Sequence, residues 1–344
     1  MLSLWKNCFM ANIDRSPRTN SPSLTVVLLL AAVLHLPLQA QLAAKAASGL
    51  HTVTEPDLQG VWTNVTITPL ERPRELASKA FFTKEEAQAY EKQIANENDK
   101  DRRDGAVESD VARAYNEAWW DRGTKIVSTL RTSLIVEPED GRVPPLTPQA
   151  RAAAQARAQI LQRPPRGPED RGMQERCIVG SNVGPPSLPT AYNNNLQIFQ
   201  SPGYVVIQNE MVHDFRVVRT DGSPHMASQY RFWLGDPRGH WEGKTLVVDT
   251  TNFNSQVHFR GSDENLHVIE RFTRVKPDQI LYQFRIEDPT AFERPWAGEI
   301  PLHATPGPIY EYACHEGNYG LTGQLAGARA DEKRAAEAAG KRSN

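Results

Sequence analysis

The sequence lacks the features of a nucleic-acid-binding protein. Its 344 residues carry 39 Lys and Arg against 41 Asp and Glu, and the formal net charge is −2. No block of basic residues rises above this background. A protein that holds nucleic acid through its phosphates needs a clustered positive surface. We therefore expect no nucleic-acid partner.

Several catalytic motifs are also missing. The chain has no HExxH pair, no Gly-rich phosphate loop, no haem-attachment motif and no nucleophilic Ser/His/Asp signature. We therefore expect no cofactor and favour no metal. If strands brought scattered ligands together, the metal-binding set would be His213, His267, His315 and Glu316.

Long apolar runs are scarce, and the most prominent is N-terminal. LTVVLLLAAVLHLPL (24–38) follows Lys6, Arg15 and Arg18 and precedes small residues. The run is short for a membrane span, and the pattern is typical of a signal peptide. We predict a signal peptide over residues 1–46 and a periplasmic or secreted mature chain without a stable membrane span. A membrane anchor is the alternative interpretation.

Cysteine is rare as well. Of three cysteines, Cys8 lies in the predicted signal peptide, which leaves Cys177 and Cys314. An even pair in an oxidising compartment predicts a disulfide bond. The alternative is that Cys314 ligates a metal beside His315 and Glu316.

The remaining chain divides into three zones by composition. Residues 47–174 should hold a first strand, a helical insertion and a Pro/Gly-rich linker. Within this zone, Thr83 and Glu86 form a capping box, Ser109 begins a second helix that runs to Gly123, and Thr147 caps a third. Residues 175–322 should form an antiparallel β-barrel, and residues 323–344 a polar tail, either a frayed helix or disordered.

The β zone contains short apolar stretches separated by turn signals such as SPG, TDGS and KPD. Strands at this spacing indicate an antiparallel sandwich or barrel. The predicted strands are 196–201, 203–210, 213–219, 241–253, 267–275, 279–288, 298–304 and 309–316. The fold class is therefore mainly β, with a helical layer added.

Particular motifs in this zone resemble known proteins. WEGKTL (241–246), a later ERF strand and a Leu-x-Tyr strand resemble the meander of lipocalin-like (calycin) barrels, and Gly60-Val61-Trp62 resembles the Gly-x-Trp of their first strand. The longer pattern HDFRVV…WEGKTLVVDTTNF…IYEYACHEGNYG resembles a widespread set of secreted bacterial proteins. These resemblances imply the barrel fold and export, and they imply no particular reaction.

Strand alternation places ionisable residues on the apolar faces, which should line the barrel interior. A charge there is costly unless it is paired. The set could be an acid/base site, with a histidine as base, an aspartate as its partner and an arginine stabilising negative charge. It could equally be a structural ion-pair network. The candidates are His213, Asp249, His267, Arg271 and Asp288.

Aromatic residues in the same zone favour a cavity for a hydrophobic or aromatic ligand, although ordinary core filling would need many of them. They are Trp241, Phe253, Tyr282, Phe284, Trp296 and Tyr312. The leading hypothesis is a cofactor-free lyase, isomerase or hydratase acting on a small hydrophobic molecule. The alternatives are a non-catalytic binding protein, and a metal-dependent hydrolase or oxygenase that uses His213, His267 and His315.

Overall fold

The computed structural model describes residues 55–99 and 120–342. All described residues belong to one unit of the chain, Glu55–Asn344. The predicted signal peptide lies outside the described residues. Most of the helix predicted from Ser109 does so too, and residues 120–123 are not helical.

The described residues contain three α-helices, α1 (Lys84–Asn98), α2 (Pro148–Gln162) and α3 (Tyr319–Arg342). The predicted start of α1 is confirmed: the Thr83 hydroxyl accepts from the Glu86 amide, and the Glu86 carboxylate accepts from the Thr83 amide. Thr147 caps α2, with Pro148 as its first residue. Short 3₁₀ turns cover Arg74–Leu76, Pro168–Asp170 and Met211–His213.

Ten strands account for the β structure of the described residues. They are β1 (Gly60–Thr63), β2 (Ile135–Glu137), β3 (Asn195–Ser201), β4 (Tyr204–Asn209), β5 (Phe215–Arg219), β6 (Asp236–Glu242), β7 (Thr245–Thr251), β8 (His267–Lys276), β9 (Gln279–Glu287) and β10 (Trp296–Ala304). Nine of them close into a barrel in the order β1-β3-β4-β5-β6-β7-β8-β9-β10, and β1 pairs with β10 to complete the ring. The short β2 pairs with β10 beside β1.

The expectation of a purely antiparallel barrel is wrong at one place. β5 and β6 run parallel and meet through a single residue pair, Arg219 and Arg238. The long connection over residues 220–235 carries the chain back so that β6 starts in the same direction as β5. This weakly paired junction, which we call the seam, is the least regular part of the barrel wall.

Two predicted strands also need correction. Residues 241–253 are not one strand, because Gly243 and Lys244 form a hairpin turn that brings Glu242 opposite Thr245. Gly243 has φ +59°, a conformation that glycine adopts at no steric cost. Residues 309–316 form irregular chain and a turn instead of a closing strand. Gly60–Thr63 fills the place between β10 and β3.

The barrel lumen is filled by side chains. Trp62, Phe272, Tyr282, Phe284 and Trp296 are all fully buried. The ring centroid of Tyr282 lies 4.8 Å from the ring centroid of Phe272 and 5.9 Å from that of Phe284. The lumen is therefore a packed core, in which aromatic pairs add to the stabilisation from apolar burial.

A buried ion pair crosses this core. The side chains of Arg216 on β5 and Glu270 on β8 have no exposed surface. Arg216 donates Nη1 to Glu270 Oε2 at 2.5 Å and Nη2 to Oε1 at 2.9 Å. Tyr282 donates its hydroxyl to Glu270 Oε1 at 2.8 Å and accepts from the Ser187 amide at 3.0 Å. Burial raises the pKa of Tyr282, so its hydroxyl keeps the proton that it donates.

The predicted disulfide between Cys177 and Cys314 is confirmed, with the two Cα atoms 5.7 Å apart. The Asn318 side chain lies beside it, donating to the Glu175 carbonyl at 2.8 Å and accepting from the Leu321 amide at the start of α3. The thiol of Cys314 is therefore committed to the disulfide, and the interpretation as a metal ligand is wrong.

We predict that Glu270→Gln lowers the free energy of unfolding by about 3–5 kcal/mol, because it leaves the Arg216 charge buried without its counter-ion. Urea unfolding followed by circular dichroism measures this loss. The matched control is Glu242→Gln, which breaks the exposed pair between Glu242 and Arg271 and should move the midpoint far less. Equal effects of the two variants would contradict the structural role of the buried pair.

Candidate functional site

Strand alternation predicted the wrong face for most of the catalytic candidates. On β8 the inward residues are Val268, Glu270 and Phe272, so His267 and Arg271 lie outside the barrel. On β7 the inward Leu246, Val248 and Thr250 leave Asp249 outside. The alternation of faces was counted from Trp241 straight through the hairpin turn at Gly243, so every residue of β7 was assigned to the wrong face. On β8 both faces carry apolar residues, so the pattern does not select one.

The structure places three candidates away from the others. Arg271 donates to the exposed Glu242 at 2.7 Å. His213 is exposed beside the Gln208 side chain, with 2.7 Å between the two Nε2 atoms. Asp288 is buried as predicted, but its carboxylate accepts from the Ser262 hydroxyl and from the Thr290 amide at 2.9 Å. Asp288 therefore organises the turn after β9.

Asp249 and His267 do meet, within a row of ionisable side chains on the outer surface. His267 Nε2 lies 3.0 Å from Asp249 Oδ2, and His267 Nδ1 lies 3.3 Å from Glu287 Oε2. His225 Nε2 lies 3.1 Å from the other Asp249 oxygen, and His225 Nδ1 lies 3.3 Å from Asp236 Oδ2. We call Asp236, His225, Asp249, His267 and Glu287 the outer carboxylate–histidine row.

Charge pairing governs protonation in this row. The hydrogen bond that His267 donates to the Asp249 carboxylate is the main cause that raises the pKa of His267, and the same bond lowers the pKa of Asp249. Both nitrogens of His267 face carboxylate oxygens, so neither is free to take a proton from a substrate. The geometry therefore fits a structural ion network better than a general base.

We predict that Asp249→Asn lowers the pKa of His267, measured by NMR titration of its imidazole. A raised histidine pKa contributes stability that is complete below the unfolded pKa and is lost as pH rises through the folded pKa. The variant should therefore lose up to about 1 kcal/mol of unfolding free energy near pH 5.5 and progressively less above the His267 pKa. An unchanged His267 pKa would contradict the assignment.

The predicted ligand-binding aromatics mostly belong to the core. Phe253, Tyr282, Phe284 and Trp296 are buried in the main apolar cluster, and Trp241 packs partly against it. Tyr312 lines a surface hollow of about 810 Å³ beside the disulfide, together with Glu175 and Asn318. The Glu175 carboxylate there already accepts from the Gly172 amide. Core filling, the alternative interpretation, accounts for all of these residues except Tyr312.

A separate groove opens where β5 leaves β6. This groove, the seam groove, encloses about 520 Å³. Most of its wall is apolar or aromatic, and its polar residues are Asp214, Arg216, Arg219, Asp236 and Arg238. Its apolar lining consists of Ile178, Val179, Tyr204, Phe215, Val217, Met226, Phe232, Trp233, Leu234 and Pro237.

The β5 edge along the groove is unpaired. The Asn209 amide donates to the Asp214 carbonyl at 2.8 Å. This bond determines which residues of β5 direct their backbone amides and carbonyls toward β4. Alternation then turns the amides and carbonyls of Phe215 and Val217 toward the groove, where no backbone group of the described residues pairs with them. Their side chains are 61% and 43% exposed. Exposed apolar surface beside a groove is a common mark of a binding site.

Asp214 is the titratable group that the structure adds to the site. Its Oδ2 atom is buried and has no hydrogen-bond partner among the described residues. Burial raises its pKa to about 6. The rim cations are already neutralised, since Arg219 donates to Asp221 at 2.6 Å and Arg238 to Asp236 at 2.5 Å. Sequence inspection missed Asp214 because it adjoins His213, although its two-residue spacing from Arg216 placed both on one face.

The structure does not assemble the candidate metal set. No group of three or more His, Cys, Asp and Glu side chains within residues 55–99 and 120–342 has the geometry to hold a metal ion. His213 lies with Gln208 and His267 with Asp249, while His315 and Glu316 are exposed beside the disulfide. Over the same residues, no helix is long and apolar enough to cross a membrane.

Comparison with known proteins adds no family to this description: no protein-family model, no curated protein and no solved structure matches the chain.

Proposed function

We propose that this protein is an exported, cofactor-free acid/base enzyme of the lyase or isomerase kind. It would act on a small hydrophobic or aromatic molecule in the seam groove, with Asp214 as the group that moves the proton. The observation that carries the proposal is the Asp214 Oδ2 atom, which is buried beside a largely apolar groove and has no hydrogen-bond partner among the described residues.

The chemistry of Asp214 supports this role. A general acid/base works best when its pKa lies near the working pH, and burial raises the pKa of Asp214 to about 6. Its Oδ2 atom has no hydrogen-bond partner among the described residues, whereas both nitrogens of His267 face carboxylates. Asp214 is therefore a better candidate for proton transfer than Asp249 and His267 of the outer carboxylate–histidine row.

The groove itself supports a small, apolar ligand. Its volume lies in the range of small-molecule sites, roughly 300–1,000 Å³. Phe215, Met226, Phe232 and Trp233 present aromatic and thioether surface along it. Side chains fill the barrel lumen. We therefore place the ligand in the seam groove and not inside the barrel.

The second candidate is a non-catalytic binding protein. The exposed rings of Phe215 and Phe232 favour it, because an open apolar groove can hold a ligand without changing it. The unpaired Asp214 oxygen would then accept a hydrogen bond from the ligand. Export and a lipocalin-like relationship are further parts of the proposal, supported by the disulfide and by the closed nine-strand barrel.

We predict Asp214-dependent conversion within a panel of small aromatic alcohols, epoxides, alkenes, ketones and lactones, followed by mass spectrometry. Activity should rise with pH through about 6, since the carboxylate is the basic form. Asp214→Asn should reduce kcat/KM by roughly 10²–10⁴-fold, the usual contribution of a general base. Asp278→Asn, the same change at an exposed turn, should leave both rate and pH profile unchanged.

The outcomes separate the two candidates. Binding of panel compounds in native mass spectra, without conversion, would favour the binding protein. Neither binding nor conversion, or conversion that survives Asp214→Asn, would contradict the assignment of the seam groove as the site.

A further inference from the structure

The edge of β5 that faces the seam groove has the backbone chemistry of a strand-binding surface. The amides and carbonyls of Phe215 and Val217 face the groove, and no backbone group of the described residues pairs with them. We call these groups the free β5 edge. An unpaired edge is a template for another extended chain, because its amides and carbonyls recur at the spacing of a strand.

Apolar side chains lead across the outer face of the sheet to this edge. The strand register places Phe199 of β3 beside Val206 of β4, and Val206 beside Val217 of β5. Phe199 and Val217 are 42% and 43% exposed, and Phe215 on the same face is 61% exposed. A further strand beside β5 would continue this row and cover apolar surface that is open to water.

Asp214 places an uncompensated negative charge at one end of the edge. Its Oδ2 atom has no hydrogen-bond partner, and its carboxylate no ion pair, in the part of the chain that the structure describes. At the other end, where β5 meets β6, Arg219 and Arg238 are already paired with aspartates. A partner with a positive charge near Asp214 is therefore favoured over a partner with a negative charge.

We propose that the free β5 edge binds an extended segment of another polypeptide by antiparallel strand addition, and that the segment carries apolar residues followed by a lysine or arginine beside Asp214. This inference goes beyond the proposed function and does not depend on it. Both occupants would use the wall formed by β5, so the segment would compete with a small ligand in the seam groove.

Antiparallel pairing determines the order of side chains in the partner. Its first residue pairs with Val217 and its third with Phe215, exchanging both backbone hydrogen bonds with each. These two side chains lie on the outer, apolar face. The second residue lies opposite Arg216, whose charge Glu270 balances, and the fourth lies opposite Asp214. The expected pattern is three apolar residues followed by a basic one.

A second copy of this chain is a poorer match for the edge. Two β5 edges that pair through both Phe215 and Val217 would place each Asp214 opposite Val218 of the other copy. Neither carboxylate would then gain a counter-ion. The charge at the edge therefore favours a different chain that supplies a cation.

Peptide titration of the full ¹⁵N-labelled protein tests the proposal. The probes are end-capped peptides with Val-Leu-Tyr-Lys at the four pairing positions and Ser and Thr on both sides, together with versions that carry Ile or Phe at the first and third positions. We expect NMR to show downfield shifts of the Phe215 and Val217 amide protons. Their hydrogen exchange should slow by about 10-fold or more at saturation.

Backbone methylation distinguishes strand addition from non-specific hydrophobic binding. N-methyl groups at the first and third peptide positions remove the donors that face β5, so they should weaken binding about 10-fold or more. The same groups at the second and fourth positions face away from β5 and should change the Kd by less than about 3-fold.

The charge contact is tested at Asp214. Replacing the peptide lysine with norleucine should weaken binding about 2- to 5-fold. Asp214→Asn should weaken binding of the lysine peptide by a similar factor but leave binding of the norleucine peptide unchanged. Asp278→Asn, the same substitution at an exposed turn, should leave binding of both peptides unchanged.

Several results would overturn this inference. Slow exchange of the Phe215 and Val217 amides in the free protein would mean that its own chain or a second copy already covers the edge. Failure of the whole peptide set to bind, or binding that does not depend on where the N-methyl groups lie, would remove strand addition. Equal binding of the lysine and norleucine peptides would remove the contact with Asp214.

Discussion

The ion pair between Arg216 and Glu270 is the interaction on which the rest of the barrel depends. It joins β5 to β8, which lie three strands apart in the ring, so it crosses the lumen. Two fully buried charges are stabilising only when their hydrogen bonds are nearly complete. Glu270 meets that condition with two bonds from Arg216 and one from Tyr282, whose hydroxyl is in turn held by the Ser187 amide.

This internal tie explains how the wall can be open at the seam. β5 pairs along its length with β4, but its pairing with β6 is limited to Arg219 and Arg238. Because Arg216 holds β5 from inside the barrel, β5 does not need backbone hydrogen bonds to β6 along its whole length. The seam groove forms in the space that this missing ladder leaves, and Asp214 enters it because it shares the inward face with Arg216. Fold and candidate site thus depend on the same residue.

Local signals in the sequence were sufficient for part of this structure. The capping box at Thr83 and the start of α2 at Thr147 require only neighbouring residues, and both form as predicted. The disulfide followed from cysteine parity, and the short strands with their turn signals predicted a β fold. Each of these inferences rests on residues close in sequence or on simple counting.

The site could not be found in this way because it depends on distant pairings. Glu270 is a charged residue facing inward, and only Arg216, on a strand far away in sequence, makes that position favourable. Because β8 carries apolar residues on both faces, its pattern gives no reason to place Glu270 in the lumen and His267 outside, which is the arrangement that the structure shows. The groove also requires the parallel contact of β5 with β6, for which the sequence carries no local signal.

The most direct test of this account is the protonation of Asp214. Selective ¹³C labelling of aspartate carboxyl carbons, with assignment by the Asp214→Asn variant, allows its resonance to be titrated by NMR. The account predicts a midpoint at about pH 6, because the carboxyl is half-buried in the seam groove and its Oδ2 atom has no hydrogen-bond partner in the part of the chain that the structure describes. A midpoint near 3.9, the value of a solvated aspartate, would mean that the carboxyl is not held in an apolar groove and would contradict its role as the acid/base group.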